Sequence, residues 1–365
     1  MANYQITAPA VSIVIPVLNG EKYIKECFNA IARLNTPRER FEVILVDNGS
    51  TDCTVANASQ FMDKFSLKIY SRPGSGICAV RNFGAQSSSS KVIAFLDADC
   101  IVSHDWLNSG LAAFGCGAAL TGCAYHIPAR STWVGRAWDI TSGKKSFAGQ
   151  ADWLPAGNMF VRRDVFLKAG GFNETITSDE DCELCYRIKK LGYTLFSDPA
   201  IKVVHMGTPQ TVSAFFKKEL WHGRDVFRLF LASGRSLNVV LFALFYVCAF
   251  AGAISAIVIA ATQRFYFPLA VIVLAMLSLP AALALKSALQ SSRYRYAVNL
   301  GFLYLVYGVA RALCIIDVLS WAPALTRQGK RSTITSGAVV SEDERGVYGK
   351  SQKKRTETVC QPRYS

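Results

Sequence analysis

Two long stretches of this chain lack charge altogether: no Asp, Glu, Lys or Arg occurs from Leu237 through Gln263, nor from Phe265 through Leu285. As helices rising about 1.5 Å per residue, each is long enough to cross a hydrocarbon core of roughly 30 Å. A soluble core rarely needs two such helices back to back, so both are expected to span a membrane. A G-x-G-x-x-G is missing after the first apolar strand, where P-V-L-N-G-E (Pro16 to Glu21) stands instead, and this argues against a dinucleotide-dependent oxidoreductase. A secretory signal is missing too: Met1 to Ala10 is polar and the apolar run from Val11 stops at Pro16, so the amino-terminal part is expected in the cytoplasm. Paired metal-type cysteines are scarce. Among 11 cysteines Cys182 and Cys185 form a C-x-x-C with no second ligand pair, while Cys27, Cys78 and Cys100 sit singly in apolar segments, as reduced core cysteines do.

Acidic residues are also few, 26 against 40 basic ones, leaving a net charge of +14. The basic excess crowds around the apolar stretches: Lys217, Lys218, Arg224, Arg228 and Arg235 before the first, Lys286, Arg293 and Arg295 after the second, and Arg327, Lys330 and Arg331 in the tail. No nucleic-acid recognition motif accompanies it. Attraction to anionic membrane lipid is the simpler expectation, with no nucleic-acid partner.

Up to about residue 205, short apolar runs alternate with amphipathic stretches, which predicts an α/β domain. Val11 to Pro16, Phe41 to Val46, Lys68 to Tyr70 and Val92 to Leu96 are expected as strands, apolar on both faces and therefore central in a parallel sheet. Ligands of such sheets collect beyond the carboxyl ends of the strands. Polar residues stand there: Asn19, Asp47 with Asn48, Arg72, and Asp97 with Asp99. Ser213 to Ser233 is expected as an amphipathic helix on the membrane surface, with Trp221 as an interfacial aromatic. A third apolar segment, Ala297 to Trp321, is interrupted by Arg311 and Asp317, and its topology stays open. The division is thus 1–212 for the α/β domain, 213–235 for the interfacial helix, 236–322 for two or three membrane helices, and 323–365 for a disordered basic tail.

Several constellations carry chemistry. On an extended chain Asp97 and Asp99 point to one side with Ala98 facing away, a hard oxygen site suited to Mg2+ or Mn2+ shared with a diphosphate. A D-x-D in isolation is equally a pair of solvated loop acids. D-N-G-S-T-D (Asp47 to Asp52) could accept from a nucleobase or ribose, or could simply start a helix capped by Ser50 or Thr51. R-P-G-S-G-I-C-A-V-R-N-F-G (Arg72 to Gly84) places Arg81 on a helix within reach of a phosphate or base, or in solvent. S-D-E-D-C-E (Ser178 to Glu183) opens another helix; its acids suit the helix macrodipole, with Ser178 and Asp181 resembling a capping box, and one of them is a candidate general base. His205 closes a strand-like I-K-V-V-H.

Taken in order, V-S-I-V-I-P-V-L-N-G, V-D-N-G-S-T-D, R-N-F-G, F-L-D-A-D-C, G-N-M-F-V-R-R-D-V-F-L-K-A-G-G-F, E-D-C-E-L-C-Y-R-I-K-K-L-G-Y and V-V-H resemble the family 2 glycosyltransferases of GT-A fold, from about Val11 to Arg224. The resemblance implies a mixed, mostly parallel central sheet flanked by helices, and an inverting transfer from a nucleotide-diphosphate sugar donor to an acceptor hydroxyl. Asp47 matches the acid that reads the base, with backbone around Val17 helping, and Arg81 an arginine near the nucleotide. Asp97 and Asp99 match the metal-binding D-x-D, His205 a histidine that completes the metal site in some members. Gly157 and Asn158 match the stretch lining donor sugar and acceptor, and Asp181 the catalytic base. The implied cofactor is a divalent metal, Mg2+ or Mn2+. Implied partners are the donor, a glycan or lipid-linked acceptor and membrane lipids.

Two expected motifs are missing. The Q-x-x-R-W of processive synthases is replaced by L-W-H-G-R (Leu220 to Arg224), and the D-A-D-L-Q of polyprenyl-phosphate sugar transferases by D-A-D-C-I. The expected role is cell-envelope or polysaccharide biosynthesis by a multi-pass protein of the bacterial inner membrane, with its catalytic domain cytoplasmic. A polyprenyl-phosphate sugar transferase and an inactive nucleotide-sugar-binding subunit are the alternatives.

Overall fold

The computed structural model describes residues 9–142, 147–225, 230 and 237–328. The chain divides into two compact units at Ile316, and the architecture below belongs to the first. β1 (Val11–Val17), α1 (Glu21–Ala32), β2 (Phe41–Asp47), α2 (Thr54–Ser59), β3 (Ser66–Ser71), α3 (Ile77–Gln86) and β4 (Val92–Leu96) are parallel strands joined by helical crossovers. There follow β5 (Cys100–Val102), α4 (Trp106–Ala112), β6 (Leu120–Gly122), α5 (Trp133–Ser142), β7 (Gly149–Gln150), β8 (Asn158–Arg162), α6 (Arg163–Lys168), α7 (Glu180–Lys190), β9 (Leu195–Ser197), β10 (Val203–His205) and α8 (Val212–Gly223). The main sheet has the order β3-β2-β1-β4-β8-β6-β9-β7, and β10 pairs with β5 in a separate two-stranded sheet.

β1 and β2 are apolar at nearly every position because both faces are covered. Ile13, Ile15 and Val17 pack with Phe28 and Ile31 of α1 on one side, while Val14 packs with Val46, Phe95 and Val80 of α3 on the other. Each such side chain contributes roughly 1.5–3 kcal/mol by leaving water. The parallel half ends at β4, whose other neighbour β8 runs antiparallel with Leu96 opposite Asn158. The mixed, mostly parallel sheet expected of a GT-A fold is therefore present, and β3 extends further than Lys68 to Tyr70.

One local expectation fails. Asp97 and Asp99 are not carried on an extended chain: β4 ends at Leu96, and a turn closed by the Cys100 amide donating to the Asp97 carbonyl (3.1 Å) leads into β5. Alternation along a strand cannot be what brings the two carboxylates together. Nor do Ser50 or Thr51 cap a helix, since α2 starts at Thr54 and it is the Asp52 carboxylate that accepts from the Thr54 amide (3.0 Å). Ser178 forms no capping box either; α7 has no side-chain cap.

Three further helices, Leu237–Gln263, Phe267–Ser291 and Ala297–Gln328, complete the described chain. Spans at Leu237–Gln263, Phe267–Ser291 and Tyr294–Ile315 are long and apolar enough to cross a membrane. The third differs from the others: 44% of its most apolar window is buried against protein, compared with 17% and 11%. Arg311, which interrupts it, turns inward, 7% exposed, and pairs with Glu219 of α8 (2.7 Å). The helix runs on to Gln328, past the boundary at 323 assigned to a tail, and residues 329–365 with the side chain of Asp317 lie outside the described residues.

The expected interfacial helix is shorter on its described part. α8 buries Phe215 and Glu219 against protein, Phe215 against Trp138 of α5 (ring centroids 4.7 Å), so its inner face is not free for lipid. Trp221 is 39% exposed. Residues 226–229 and 231–236, which include Phe227, Arg228, Leu231 and Arg235, lie outside the described residues.

Candidate active site

The carboxyl ends of β1 and β2 stand side by side, Val17 beside Asp47. Asp47 is buried, and its carboxylate accepts from the amides of Gly49 (3.2 Å) and Ser50 (3.1 Å), so it shapes the D-N-G-S turn. Val17 pairs with Asp47 across the sheet, and its carbonyl accepts from the Asn48 amide (2.8 Å). Asn48 also ties this turn to the glycine-containing loop, donating to the Ser75 carbonyl (2.6 Å) and accepting from the Ser75 amide (2.9 Å).

Beyond β4 the turn Asp97-Ala98-Asp99 meets β10. Antiparallel pairing sets His205 opposite Cys100, and the Met206 amide donates to the Asp99 carbonyl (2.8 Å). His205 Nε2 thereby lies 3.5 Å from Asp99 Oδ2. Ligand atoms of Asp97, Asp99, Cys100 and His205 all fall within 4.8 Å of one another. Burial pushes the Asp99 carboxyl up, with adjacent Asp97 adding to it, although His205 pulls the other way. Burial also lowers His205, favouring the neutral imidazole that ligates metals. The Cys100 thiol is held protonated by burial and by Asp97 and Asp99. What remains is a hard set of two carboxylates and an imidazole, which fits Mg2+ or Mn2+.

Tyr125 closes the cluster from above. Its hydroxyl donates to Asp97 Oδ2 (3.4 Å) and accepts from the Gly157 amide (2.9 Å), and its ring lies 4.9 Å from that of His205. Burial and the Asp97 charge raise the phenol well above its ordinary value, so it stays a donor. Gly157 has no room for a side chain, because a Cβ there would run into the Asp97 carboxylate and the Tyr125 hydroxyl. Gly157→Ala is therefore expected to lower turnover about 10²-fold by displacing the Asp97 carboxylate about 1 Å. Steady-state kinetics, alongside a melting curve showing the variant folded, would measure it.

The guanidinium of Arg81, 4% exposed on α3, joins this cluster to α7. Nη2 donates to Asp97 Oδ1 (2.8 Å) and Nη1 to Glu180 Oε1 (2.5 Å). Burial alone would raise Asp97, but Arg81 overrides it and holds the carboxyl below its ordinary range. Next to Glu180 stands Asp181, whose Oδ2 accepts from the Ala156 amide (3.3 Å), one residue before Gly157. Burial raises Asp181 to about 7, with the charges of Glu180 and Asp179 adding to the effect. Asp179, in the left-handed region at φ 57, delivers the chain into this first turn. A carboxyl near neutrality, buried beside a metal-type cluster, is suited to proton transfer at neutral pH.

The structure thus brings Asp97, Asp99, His205, Gly157, Arg81 and Asp181 together, with Asp47 and Val17 at the neighbouring strand ends. Asn158 points elsewhere: its buried amide accepts from Trp106 Nε1 (2.8 Å) and donates to the carbonyls of Cys123 (2.9 Å) and Ile201 (3.0 Å), pinning β8 to the core. Arg81 faces two acids, and its guanidinium is inside the protein instead of at its surface. Sequence reasoning missed Tyr125 and the pairing of Glu180. Tyr125 carries no motif signal, and Glu180 sat inside an acidic cluster that helix electrostatics already explained.

The profile for glycosyl transferase family 2 matches residues 12–168, and that for glycosyl transferase family group 2 matches residues 92–285. Glycosyltransferase AglE of Haloferax volcanii is 31% identical over 240 residues, covering 64% of this chain and 78% of the relative. The probable glycosyltransferase YdaM of Bacillus subtilis is 29% identical over 208 residues, and there the match spans 49% of the relative. Among solved structures, the mannosyltransferase PcManGT from Pyrobaculum calidifontis, in complex with GDP-Man and Mn2+, superposes with a TM-score of 0.57 at 18% identity, covering 84% of this chain and 88% of that one. On these matches, and on the fold they share, the chain belongs to glycosyltransferase family 2.

Proposed function

We propose that the protein is an inverting glycosyltransferase that moves one sugar from a nucleotide-diphosphate sugar to an acceptor hydroxyl, with Asp181 as general base. The observation that carries this reading is the continuity of the site. The Ala156-Gly157 backbone links Asp181, raised to about 7, through Tyr125 to the Asp97, Asp99 and His205 cluster, and the Arg81 guanidinium ties Glu180, the residue before Asp181, to Asp97. Asp181 takes the acceptor proton as oxygen attacks the anomeric carbon from the face opposite the leaving diphosphate. Asp99, Asp97 and His205 would hold a divalent cation, which supplies charge neutralisation for that diphosphate. Tyr125 and Gly157 fix Asp97, and the strand ends at Val17 and Asp47 provide the nucleotide wall.

Membrane attachment is part of the proposal. Three helices long and apolar enough to cross a bilayer support a multi-pass protein, and the basic residues around them support a cytoplasmic catalytic domain at an inner membrane. Such an enzyme would act in cell-envelope or polysaccharide assembly on a glycan or lipid-linked acceptor. Adding excess chelator to purified protein in lipid is expected to abolish sugar transfer, with Mn2+ or Mg2+ restoring it; full activity in chelator excludes the metal role. Label moving from donor into an organic-extractable, acid-labile product would identify a lipid-phosphate acceptor.

A further inference from the structure

The segment that leads into Asp181 is not held by its own domain alone. Asp225, just past the end of α8 and 2% exposed, accepts through Oδ2 from the Thr177 amide (2.6 Å), the Thr177 hydroxyl (2.8 Å) and the Ser178 amide (3.1 Å). Ser178, fully buried, answers with its hydroxyl, which donates to the His222 carbonyl (3.3 Å) and accepts from the Asp225 amide (3.4 Å). The next residue is Asp179 in its left-handed conformation, and the first turn of α7 with Asp181 follows. A backbone in that region costs energy unless its surroundings hold it. The clamp on Thr177 and Ser178 supplies that hold.

α8 is itself fastened to the third apolar helix. Arg311 donates to the Glu219 carboxylate (2.7 Å) and to the Glu219 carbonyl (2.6 Å), and the Cys314 thiol lies 3.3 Å from the Leu220 carbonyl. Both ends of the Arg311 and Glu219 pair are buried. We propose that Asp225 is a positioning residue for Asp181, and that Arg311 extends this positioning to the third apolar helix, so that the membrane region sets the geometry of the base. The inference rests on Asp181 being the base.

Hydrogen bonds to a buried charge are strong, and three converge on one oxygen here. In the full-length protein in lipid, Asp225→Ala is expected to lower kcat roughly tenfold to hundredfold with the donor KM unchanged. Its acid limb in the kcat against pH profile moves down toward the ordinary carboxylate range, because a loosened first turn admits water to Asp181. The other charges facing Asp181 are Asp179 and Glu180, which precede it in the chain, and Arg81 from α3, with Tyr125 nearby, and none of them is removed by the substitution. Asp225→Asn, which keeps an acceptor oxygen, recovers most of the rate. Arg311→Gln gives a smaller defect of the same kind.

An Asp225→Ala protein that melts earlier but keeps kcat and acid limb shows a merely structural contact and overturns the proposal. Should that variant fail to fold, Thr177→Val removes a single bond to Oδ2, and an unchanged kcat there overturns it equally. A normal kcat in Arg311→Gln overturns the link to the third helix. Near-normal turnover in Asp181→Asn would instead sink the base assignment, whatever Asp225 does. An inactive Asp181→Asn beside an unaffected Asp225→Ala removes the latch alone.

Discussion

Replacing Asp181 by Asn is expected to reduce turnover by roughly 10²–10⁴-fold while leaving donor affinity near normal, because the proposed base would take its proton only in the transition state. The wild-type rate has a matching pH signature. A base must be deprotonated, so kcat should rise as pH increases through about 7, where burial, Glu180 and Asp179 have placed this carboxyl. The same displacement has a stability sign. A carboxyl whose folded value is raised binds its proton more tightly in the folded state, so the contribution of Asp181 to stability is fully present in acid and is lost as pH rises toward and through about 7. Asp181→Asn escapes that decline. Its melting temperature at pH 8 should exceed that of the wild type, and the difference should vanish in acid. An inactive, better-folded variant is the outcome expected where a site is maintained at the expense of stability. Normal turnover, or a loss accompanied by a lower melting temperature at pH 8, contradicts the assignment.

Arg81→Met should be the most destabilising single change in the site. It leaves Asp97 and Glu180 facing each other in the interior without their common cation, and breaking a buried pair from one side typically costs about 3–5 kcal/mol. For a domain of this size that is a fall in melting temperature on the order of 10 °C. Arg81 holds Asp97 below the ordinary carboxylate range, so its stabilising effect is present above that range and is lost as pH falls through the depressed folded value. The gap between variant and wild type should therefore narrow in acid. Adding Glu180→Gln to Arg81→Met should restore part of the stability but not the activity, since Asp97 stays unanchored. Arg81→Lys should recover little, because one ammonium lacks the planar fork that reaches both acids. Equal melting curves for wild type and Arg81→Met would show that the pair carries no such load.

These two residues also mark where sequence reasoning succeeds and stops. The strands before Asp47 and Asp97 were legible because a strand covered on both faces must be apolar at nearly every position, and F-E-V-I-L-V and V-I-A-F-L are. Asp181 was legible through the order of motifs, even though its acidic neighbours have an ordinary helical explanation. Arg81 was legible as a residue but not as an environment. Nothing in R-N-F-G states that the guanidinium faces Glu180, which is 99 positions away. The D-x-D was recognised for a faulty geometric reason, since a turn and the β5–β10 pairing make the cluster where strand alternation was expected. The amphipathic pattern of α8 suggested lipid, yet its inner face belongs to Trp138 and Arg311. Periodicity records which side of a helix is apolar, not what covers it.

The seam between β4 and β8, where strand direction reverses, has a consequence for recombination. Arg81 precedes β4 and Asp97 and Asp99 stand in the turn just after it, while Tyr125, Gly157, Glu180, Asp181 and His205 come later in the chain. A hybrid that takes β1 to β4 from a relative and keeps the rest of this protein would inherit an arginine and a glutamate with no shared history. Such exchanges should succeed only when the 178–183 segment travels with the parallel half, so the natural cutting points for recombining such chains are displaced from the visible boundary in the sheet.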